Sequence, residues 1–185
     1  MNKFKFLKES LKSIKTSGTI FPSSRFLTTK LLKGIDFNKP NLIVEFGPGN
    51  GKITKEILKQ LHPDSKLIVF EINDNFYNEL LKINDNRLVV INQSANSILE
   101  VIKTHGFEAV DYIVSSLPLT NIPKTITDTI LENAYKSLKP NGYFFQYQYS
   151  LTYYSALKEM FKGRITLSFE PLNIPPAFIY SCQKD

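Results

Sequence analysis

The chain has few of the residues that build disulfides, metal sites and membrane spans. Its single cysteine, Cys182, excludes an internal disulfide and is typical of a reducing compartment. Cysteines, histidines and acids do not recur at the spacing of metal ligands, so we expect no metal. The longest apolar runs, such as 67-LIVF-70 and 88-LVVI-91, are as long as strands, whereas a membrane-spanning helix needs about 20 apolar residues. Lysines interrupt the apolar runs near the N-terminus, so we expect no signal peptide.

Excess positive charge is confined to the beginning of the chain. The net charge of the 185 residues is +6, and residues 1–33 hold eight lysines and arginines against one acid, Glu9. The rest of the chain is nearly neutral, with fifteen basic and sixteen acidic residues. A protein that wraps nucleic acid would spread its basic residues over a whole face. We therefore predict a basic arm over 1–34 and a nearly neutral domain over 35–185.

The arm has the pattern of two helices. In residues 3–16, apolar side chains recur at steps of three and four beside a stripe of lysines, which predicts an amphipathic helix. Pro22, Ser23 and Ser24 predict the start of a second helix, which ends at Gly34.

Strand and helix patterns alternate after residue 40. The expected helices lie near 52–61, 74–83, 96–104, 124–138 and 151–161, and the expected strands lie near 42–46, 66–71, 87–92, 110–115, 142–149, 164–170 and 177–182. The first four strands are continuous apolar runs, as in a parallel sheet covered on both faces. The last two are joined by a link too short for a crossover helix and must be antiparallel. The pattern predicts an α/β fold with a doubly wound, mostly parallel seven-stranded sheet and one antiparallel strand near the C-terminus.

A glycine loop follows the first strand, in the segment 45-EFGPGNGK-52. Gly47, Gly49 and Gly51 let the backbone pass close under a ligand, and the helix that follows adds unpaired N–H groups. The spacing differs from that of a dinucleotide site or a P-loop. Glu45, just before the loop, disfavours a phosphate and favours a cation.

This pattern resembles motif I of the class I S-adenosylmethionine-dependent methyltransferases, whose cofactor is a cation with an amino-acid tail. The resemblance implies a Rossmann-like fold and assigns Glu71, at the end of the second strand, to the ribose hydroxyls. Such enzymes often have an aspartate for adenine after the third strand, where this chain has Gln93-Ser94-Ala95. Ser94 or Asn96 is then expected to bind adenine. Ala95 and Ser115 complete the cofactor residues.

The loop 114-VSSLPLTNIP-123 follows the fourth strand, which in this fold ends at the transferable methyl group. Nucleic-acid amino-methyltransferases have an Asp/Asn-Pro-Pro-Tyr motif there, whose polar group binds the base amine and whose ring stacks on the base. At the same positions this chain has Ser116 and Leu119, which weaken the acceptor and remove the ring. A flipped base is therefore not the expected substrate.

Several segments, in the right order, resemble the bacterial phospholipid N-methyltransferase family. They are 17-SGTIFPSSRFL-27, 44-VEFGPGNG-51, 114-VSSLPL-119, 144-FFQYQY-149 and 173-NIPPAFIY-180. The resemblance implies methylation of the amine of phosphatidylethanolamine, and of its methylated derivatives, by S-adenosylmethionine. It also implies that the helix at 1–16 binds an anionic membrane surface, where each lysine contributes about 1 kcal/mol. The expected location is the cytoplasm, at the inner face of the membrane.

The substrate residues follow from this resemblance. Ser116, Leu117 and Pro118 are expected to hold the amine, and Arg25 is expected to meet a lipid phosphate. Aromatic rings attract ammonium groups, and tyrosine hydroxyls can accept a proton. The catalytic candidates are Tyr147, Tyr149 and Tyr180. His62 and His105 lie in turns at the opposite sheet edge and are not expected to act as bases.

Three alternatives remain open. The chain could be a nucleic-acid methyltransferase that resembles the ribosomal RNA adenine dimethylases, or an inactive relative that binds lipid or cofactor. The substitution at Gln93-Ser94 is the best support for the inactive relative. A third possibility is another amine, such as a different aminolipid or a small soluble amine. The sequence does not predict the oligomeric state.

Overall fold

The structure is a computed structural model and describes residues 23–39 and 41–185. The helix expected over 3–16, and with it the membrane-binding segment 1–16, lies outside the described residues. The basic arm is therefore described only from Ser23 onward.

Helices and strands alternate along the described chain. The α-helices are α1 (Arg25–Leu32), α2 (Lys52–Gln60), α3 (Asp74–Leu80), α4 (Ile98–Thr104), α5 (Lys124–Ser137) and α6 (Tyr154–Met160). The strands are β1 (Leu42–Phe46), β2 (Lys66–Phe70), β3 (Leu88–Ile91), β4 (Val110–Ser115), β5 (Leu138–Gln148), β6 (Ile165–Glu170) and β7 (Ala177–Gln183). Short 3-10 turns occupy Ala95–Ser97 and Leu119–Asn121. The helix expected near 96–104 thus begins as a 3-10 turn, and the fifth strand begins four residues earlier than expected.

The strands form one seven-stranded sheet in the order β3-β2-β1-β4-β5-β7-β6. The pairs β3–β2, β2–β1, β1–β4 and β4–β5 are parallel. β7 lies between β5 and β6 and is antiparallel to both. The predicted sheet, with one antiparallel strand near the C-terminus, is confirmed.

Both faces of the sheet are covered. All five residues of β1 are buried, and alternate residues enter opposite hydrophobic clusters. Val44 and Phe46 pack with α4 and α5, whereas Ile43 packs with α1 and α2. A continuous apolar strand is therefore what this position in the sheet requires.

The helix α1 packs into the same core. The Ser24 side chain accepts a hydrogen bond from Leu27 N at 3.1 Å and caps the helix, as the Pro22–Ser24 pattern predicts. Leu27 and Leu31 have no exposed surface and share a cluster with Phe145 of β5. The division of the chain at residue 34 stays a prediction.

No helix among residues 23–39 and 41–185 combines the length and apolar character that a membrane span needs.

Candidate active site

The glycine loop lies at the carboxyl edge of β1, beside the loops that follow β2 and β4. Gly47 and Gly51 have φ of 66° and 75°, which L side chains rarely adopt. A Cβ at Gly47 would lie 2.9 Å from Leu117 Cδ2, and one at Gly51 would lie 2.9 Å from Leu80 Cδ2. Both positions therefore require glycine for their backbone conformation and for packing.

Glu71 fixes the glycine loop to the end of β2. Its Oε2 accepts a hydrogen bond from Gly49 N at 3.0 Å, and its Oε1 accepts one from Asn73 N at 2.8 Å. The side chain is 7% exposed. The sequence assigns both Gly49, which follows β1, and Glu71, which follows β2, to the cofactor. The structure brings the two residues into direct contact.

Glu45 is a buried carboxyl group at the same edge. Its Oε2 accepts a hydrogen bond from Thr54 Oγ1 of α2 at 2.7 Å, whereas its Oε1 has no partner among the described residues. Burial raises the pKa of Glu45 to about 8, Thr54 opposes this shift, and the negative charge of Glu71 adds to it. A cation beside Oε1 would stabilise the ionised carboxylate.

Buried polar atoms without a partner concentrate at this edge. In the part of the chain that the structure describes, five such side-chain atoms occur: Glu45 Oε1, Ser94 Oγ, Ser116 Oγ, Gln146 Oε1 and Asn41 Oδ1. All but the last lie at the carboxyl ends of strands or in the loops that follow them. Because buried polar groups in proteins are nearly always paired, this concentration indicates a site for a polar ligand.

The site thus contains donors and acceptors suited to S-adenosylmethionine. Ser94 is 7% exposed, and Ala95 follows it at the start of a 3-10 turn. Both lie where adenine is expected, whereas Gln93 is exposed. The carboxylate of Glu45 lies in β1, that of Glu71 follows β2, and the hydroxyl of Ser94 lies in the loop after β3. Together these groups fit a cation that carries hydroxyl and amine groups.

The loop after β4 is held by hydrogen bonds on both sides. Ser116 N donates to Phe46 O of β1 at 2.9 Å, and Leu117 N donates to Ser115 Oγ at 3.4 Å. The Leu117 carbonyl accepts from the side-chain amides of Gln146 and Gln148 at 3.1 and 2.8 Å. Pro118 then leads into the second 3-10 turn. The three residues expected to hold the substrate therefore lie in a fixed loop.

Ser23 and Ser24 connect the glycine loop with the C-terminal strands. The Lys52 ammonium group donates to the Ser23 carbonyl, and Ser23 Oγ donates to Tyr147 Oη at 3.3 Å. Ser24 N donates to Asn173 Oδ1 at 2.9 Å. We call Ser23 and Ser24 the serine bracket. Lys52 and Asn173 were not among the predicted site residues, although they lie in the quoted segments 45-EFGPGNGK-52 and 173-NIPPAFIY-180.

Tyr147 and Tyr149 form an aromatic pair at the end of β5. Their ring centroids are 6.0 Å apart with planes at 69°, and Tyr149 is 45% exposed. Burial of its hydroxyl, together with Tyr147, raises the pKa of Tyr149 to about 12. This shift disfavours the phenolate that a tyrosine base would need, but it leaves the ring faces able to attract an ammonium group.

Tyr180 requires a correction. It has no exposed surface, its side chain lies on the opposite sheet face from Tyr147, and its hydroxyl donates to the Ser150 carbonyl at 2.8 Å. Burial raises the pKa of Tyr180 to about 12. The expected catalytic role does not fit a core tyrosine whose proton is already donated, and we assign Tyr180 a structural role.

Arg25, which the sequence predicts to meet a lipid phosphate, is exposed at the start of α1. It lies next to the serine bracket. Its guanidinium carbon lies 5.0 Å from the ring centroid of Phe26. This contact leaves the guanidinium edge accessible to an anion.

The buried Glu45 carboxyl group predicts a pH dependence of stability in the free protein. Its pKa of about 8 lies above the ordinary 4.5, so between these pH values the folded state holds a proton that the unfolded chain releases. The free energy of unfolding should therefore fall by a few kcal/mol as pH rises from about 5 to 8. The free energy of unfolding of Glu45→Gln, whose side chain cannot ionise, should not show this fall with pH. Urea denaturation at several pH values measures the free energy of unfolding of both proteins. If it changed with pH by the same amount in the wild type and in Glu45→Gln, the raised pKa of Glu45 would be contradicted.

Comparisons with known proteins agree with this geometry. A family model described as a methyltransferase domain matches residues 44–144. An ornithine lipid N-methyltransferase from Singulisphaera acidiphila is 30% identical over 182 residues, which cover 97% of this chain and 95% of the relative. A ribosomal RNA small subunit methyltransferase A from Mycoplasma capricolum is 34% identical over 122 residues, which cover 65% of this chain and 43% of the relative.

The fold is also found among solved structures. The N-methyltransferase NodS from Bradyrhizobium japonicum, in complex with S-adenosyl-L-homocysteine, aligns with a TM-score of 0.66 at 14% identity, covering 100% of this chain and 99% of that one. The predicted cofactor, S-adenosylmethionine, is confirmed by the matched methyltransferase domain. The chain therefore belongs to the methyltransferase-domain family, as a class I S-adenosylmethionine-dependent methyltransferase of the lipid N-methyltransferase-like type.

Proposed function

We propose that the protein methylates the amine of a membrane aminolipid at the cytoplasmic face of the membrane. The observation that carries this proposal is the identity of 30% to an ornithine lipid N-methyltransferase, because it extends over nearly the full length of both chains. Phosphatidylethanolamine and its methylated derivatives are the substrates that the sequence motifs favour. Ornithine lipid is the second candidate, which the relative favours.

The nucleic-acid alternative has weaker support. The ribosomal RNA methyltransferase that this chain resembles shares less than half of its own length with it. In the loop after β4, Ser116 and Leu119 replace the polar and aromatic residues of the base-binding motif, and Leu119 is fully buried. Position 119 therefore has no aromatic ring to stack on a base, and its leucine side chain is not at the surface.

Each predicted cofactor residue is assigned to one part of S-adenosylmethionine. Glu45 meets the ammonium group of the amino-acid tail, Glu71 accepts the ribose hydroxyls, and Ser94 binds adenine. The backbone of Gly47, Gly49 and Gly51 and the Ala95 and Ser115 positions line the same edge. When bound, S-adenosylmethionine supplies an electrophilic methyl group. The chain's own residues then have to orient a neutral amine and exclude water.

Two exposed apolar side chains lie in the loop that follows β6, at the sheet edge where β5 ends. The loop between β6 and β7 presents Leu172 and Ile174, which are 60% and 75% exposed. Asn173 between them is 1% exposed and holds the loop to Ser24. A fixed loop with outward apolar side chains at the edge of the site suits contact with a lipid surface better than contact with a nucleic acid.

The function is tested by transfer of labelled methyl groups from S-adenosylmethionine. Vesicles with phosphatidylethanolamine, vesicles with ornithine lipid and unmodified ribosomal RNA are offered in parallel. We expect label in a lipid fraction and none in RNA, because the loop after β4 lacks a base-stacking ring. Label in RNA alone would refute the lipid assignment. Label in neither fraction, with cofactor binding intact, would refute both lipid substrates.

The ribose assignment predicts that Glu71→Ala weakens cofactor binding by about 100-fold, as expected for the loss of two charge-assisted hydrogen bonds. Calorimetric titration with S-adenosylhomocysteine measures the affinity. Glu100→Ala, which removes an exposed acid on α4, is the matched control and should bind normally. Since Glu71 also holds Gly49, the unfolding midpoint is measured for each variant. Unchanged affinity in Glu71→Ala would remove the ribose assignment.

The lipid surface predicts that Leu172→Ser combined with Ile174→Ser lowers binding to anionic vesicles about tenfold or more, because both side chains lose apolar area that the membrane would bury. Deleting residues 1–16 should abolish flotation while the domain stays folded. Leu81→Ser is the matched control, since Leu81 is 53% exposed just beyond α3, which packs on β3 at the far side of the sheet from the loop between β6 and β7. Flotation that is unaffected by the double substitution would exclude the loop from the membrane contact.

A further inference from the structure

Two glutamine side chains of β5 hold the backbone of the loop after β4. Gln146 Nε2 donates to the Leu117 carbonyl at 3.1 Å and to the Tyr147 carbonyl at 2.7 Å. Gln148 Nε2 donates to the same Leu117 carbonyl at 2.8 Å. Gln146 has no exposed surface, and Gln148 is 5% exposed. With Leu119 N, which donates to the same oxygen at 2.9 Å, the Leu117 carbonyl thus receives three donors and has no lone pair left for a ligand.

The orientation of the Gln146 amide follows from its partners. Both are carbonyl oxygens, which accept hydrogen bonds but cannot donate them, so the amide nitrogen has to face them. The other end of the amide, Oε1, is a buried acceptor with no partner among the described residues. A buried acceptor in this state is costly unless a ligand donates to it.

A second unpartnered acceptor lies on the neighbouring strand end. Gln146 is in register with Ser115 of β4, and the next residue, Ser116, has a buried Oγ with no partner in the described part of the chain. The main-chain carbonyl of Leu117 is saturated by the two glutamines and Leu119 N. Among the described residues, Gln146 Oε1 and Ser116 Oγ are therefore the buried side-chain acceptors without a partner where β4 and β5 end.

Both acceptors are uncharged. A carboxylate would stabilise the protonated form of an amine and raise its pKa, and an ammonium group has no lone pair to attack a methyl group. An amide oxygen and a hydroxyl can accept N–H groups without this penalty. Their chemistry therefore matches a primary or secondary amine that must react in its neutral form.

We propose that Gln146 Oε1, with Ser116 Oγ, accepts the N–H groups of the amine that is methylated. This inference rests on the proposed function, because it names the side chains that hold the substrate of that reaction. It assigns Gln146 two roles. Its Nε2 braces the Leu117 carbonyl, and its Oε1 orients the amine.

Gln146→Met and Gln148→Met separate these roles. Each removes one donor to the Leu117 carbonyl in a side chain of similar volume, but Gln146→Met alone removes the unpartnered acceptor. For each variant, calorimetry measures the affinity for two ligands, S-adenosylhomocysteine and sinefungin, a cofactor analogue in which CH–NH2 replaces S–CH3, so that an amine lies where the transferable methyl group would be. Neither ligand depends on the identity of the lipid.

We expect Gln146→Met to weaken sinefungin binding about tenfold more than S-adenosylhomocysteine binding, as for the loss of one hydrogen bond to a charged group. Gln148→Met should change both affinities by less than about threefold. Equal loss for the two ligands in Gln146→Met would assign Oε1 to the shared part of the cofactor, and no loss would show that it faces no ligand. Either result overturns the proposal. Should Gln146→Met fail to fold, Gln146→Asn, which draws the amide back by one methylene, replaces it.

The labelled methyl assay distinguishes failure of this inference from failure of the proposed function. If the wild-type protein labels no aminolipid but discriminates sinefungin through Gln146, the lipid substrate is wrong and the amine acceptor stands. If it labels an aminolipid and Gln146→Met retains wild-type kcat/KM, the acceptor is wrong and the function stands.

Discussion

The close approach of Leu117 to Gly47 is the constraint on which the site depends. Gly47 has a φ of 66°, which favours glycine, and a Cβ there would lie 2.9 Å from Leu117 Cδ2, so a larger residue would strain the loop after β1 and push against the loop after β4. The same Leu117 receives the side-chain amides of Gln146 and Gln148 through its carbonyl. One residue thus couples the cofactor loop on β1 to the substrate end of β5, and a shift in either loop would displace the other.

The serine bracket makes a second connection across the same edge. Lys52, at the start of α2, and Asn173, in the loop between β6 and β7, both bond to the segment Ser23–Ser24. This segment links the glycine loop to the C-terminal strands without belonging to the sheet. The segment Ser23–Ser24 is therefore more than a helix start, because its backbone and hydroxyl groups join elements that are far apart in the chain.

Local sequence patterns predicted most of the fold, because buried parallel strands require continuous apolar runs and the glycine loop requires positive φ. The site was predicted less completely. The segment 144-FFQYQY-149 indicates a strand with alternating tyrosines, and the sequence gives no sign that its glutamines face the loop after β4. The burial of Tyr180 was missed for the same reason, since strand periodicity does not show that its hydroxyl donates to the Ser150 carbonyl. Contacts between distant segments decide both points.

The carboxyl edge of the sheet carries negative charge near β1 and β2 and neutral polar groups near β4 and β5. This difference matches the two molecules that a methyl transfer brings together. Around β1 and β2, Glu45 and Glu71 provide negative charge, and burial gives Glu45 a raised pKa that a bound cation would reverse. Around β4 and β5, the unpartnered buried atoms are the neutral Ser116 Oγ and Gln146 Oε1. A methyltransferase has to bind a cationic donor and a neutral acceptor next to each other. Carboxylates in both halves would favour the protonated, unreactive amine, so this separation of charge is a requirement of the reaction.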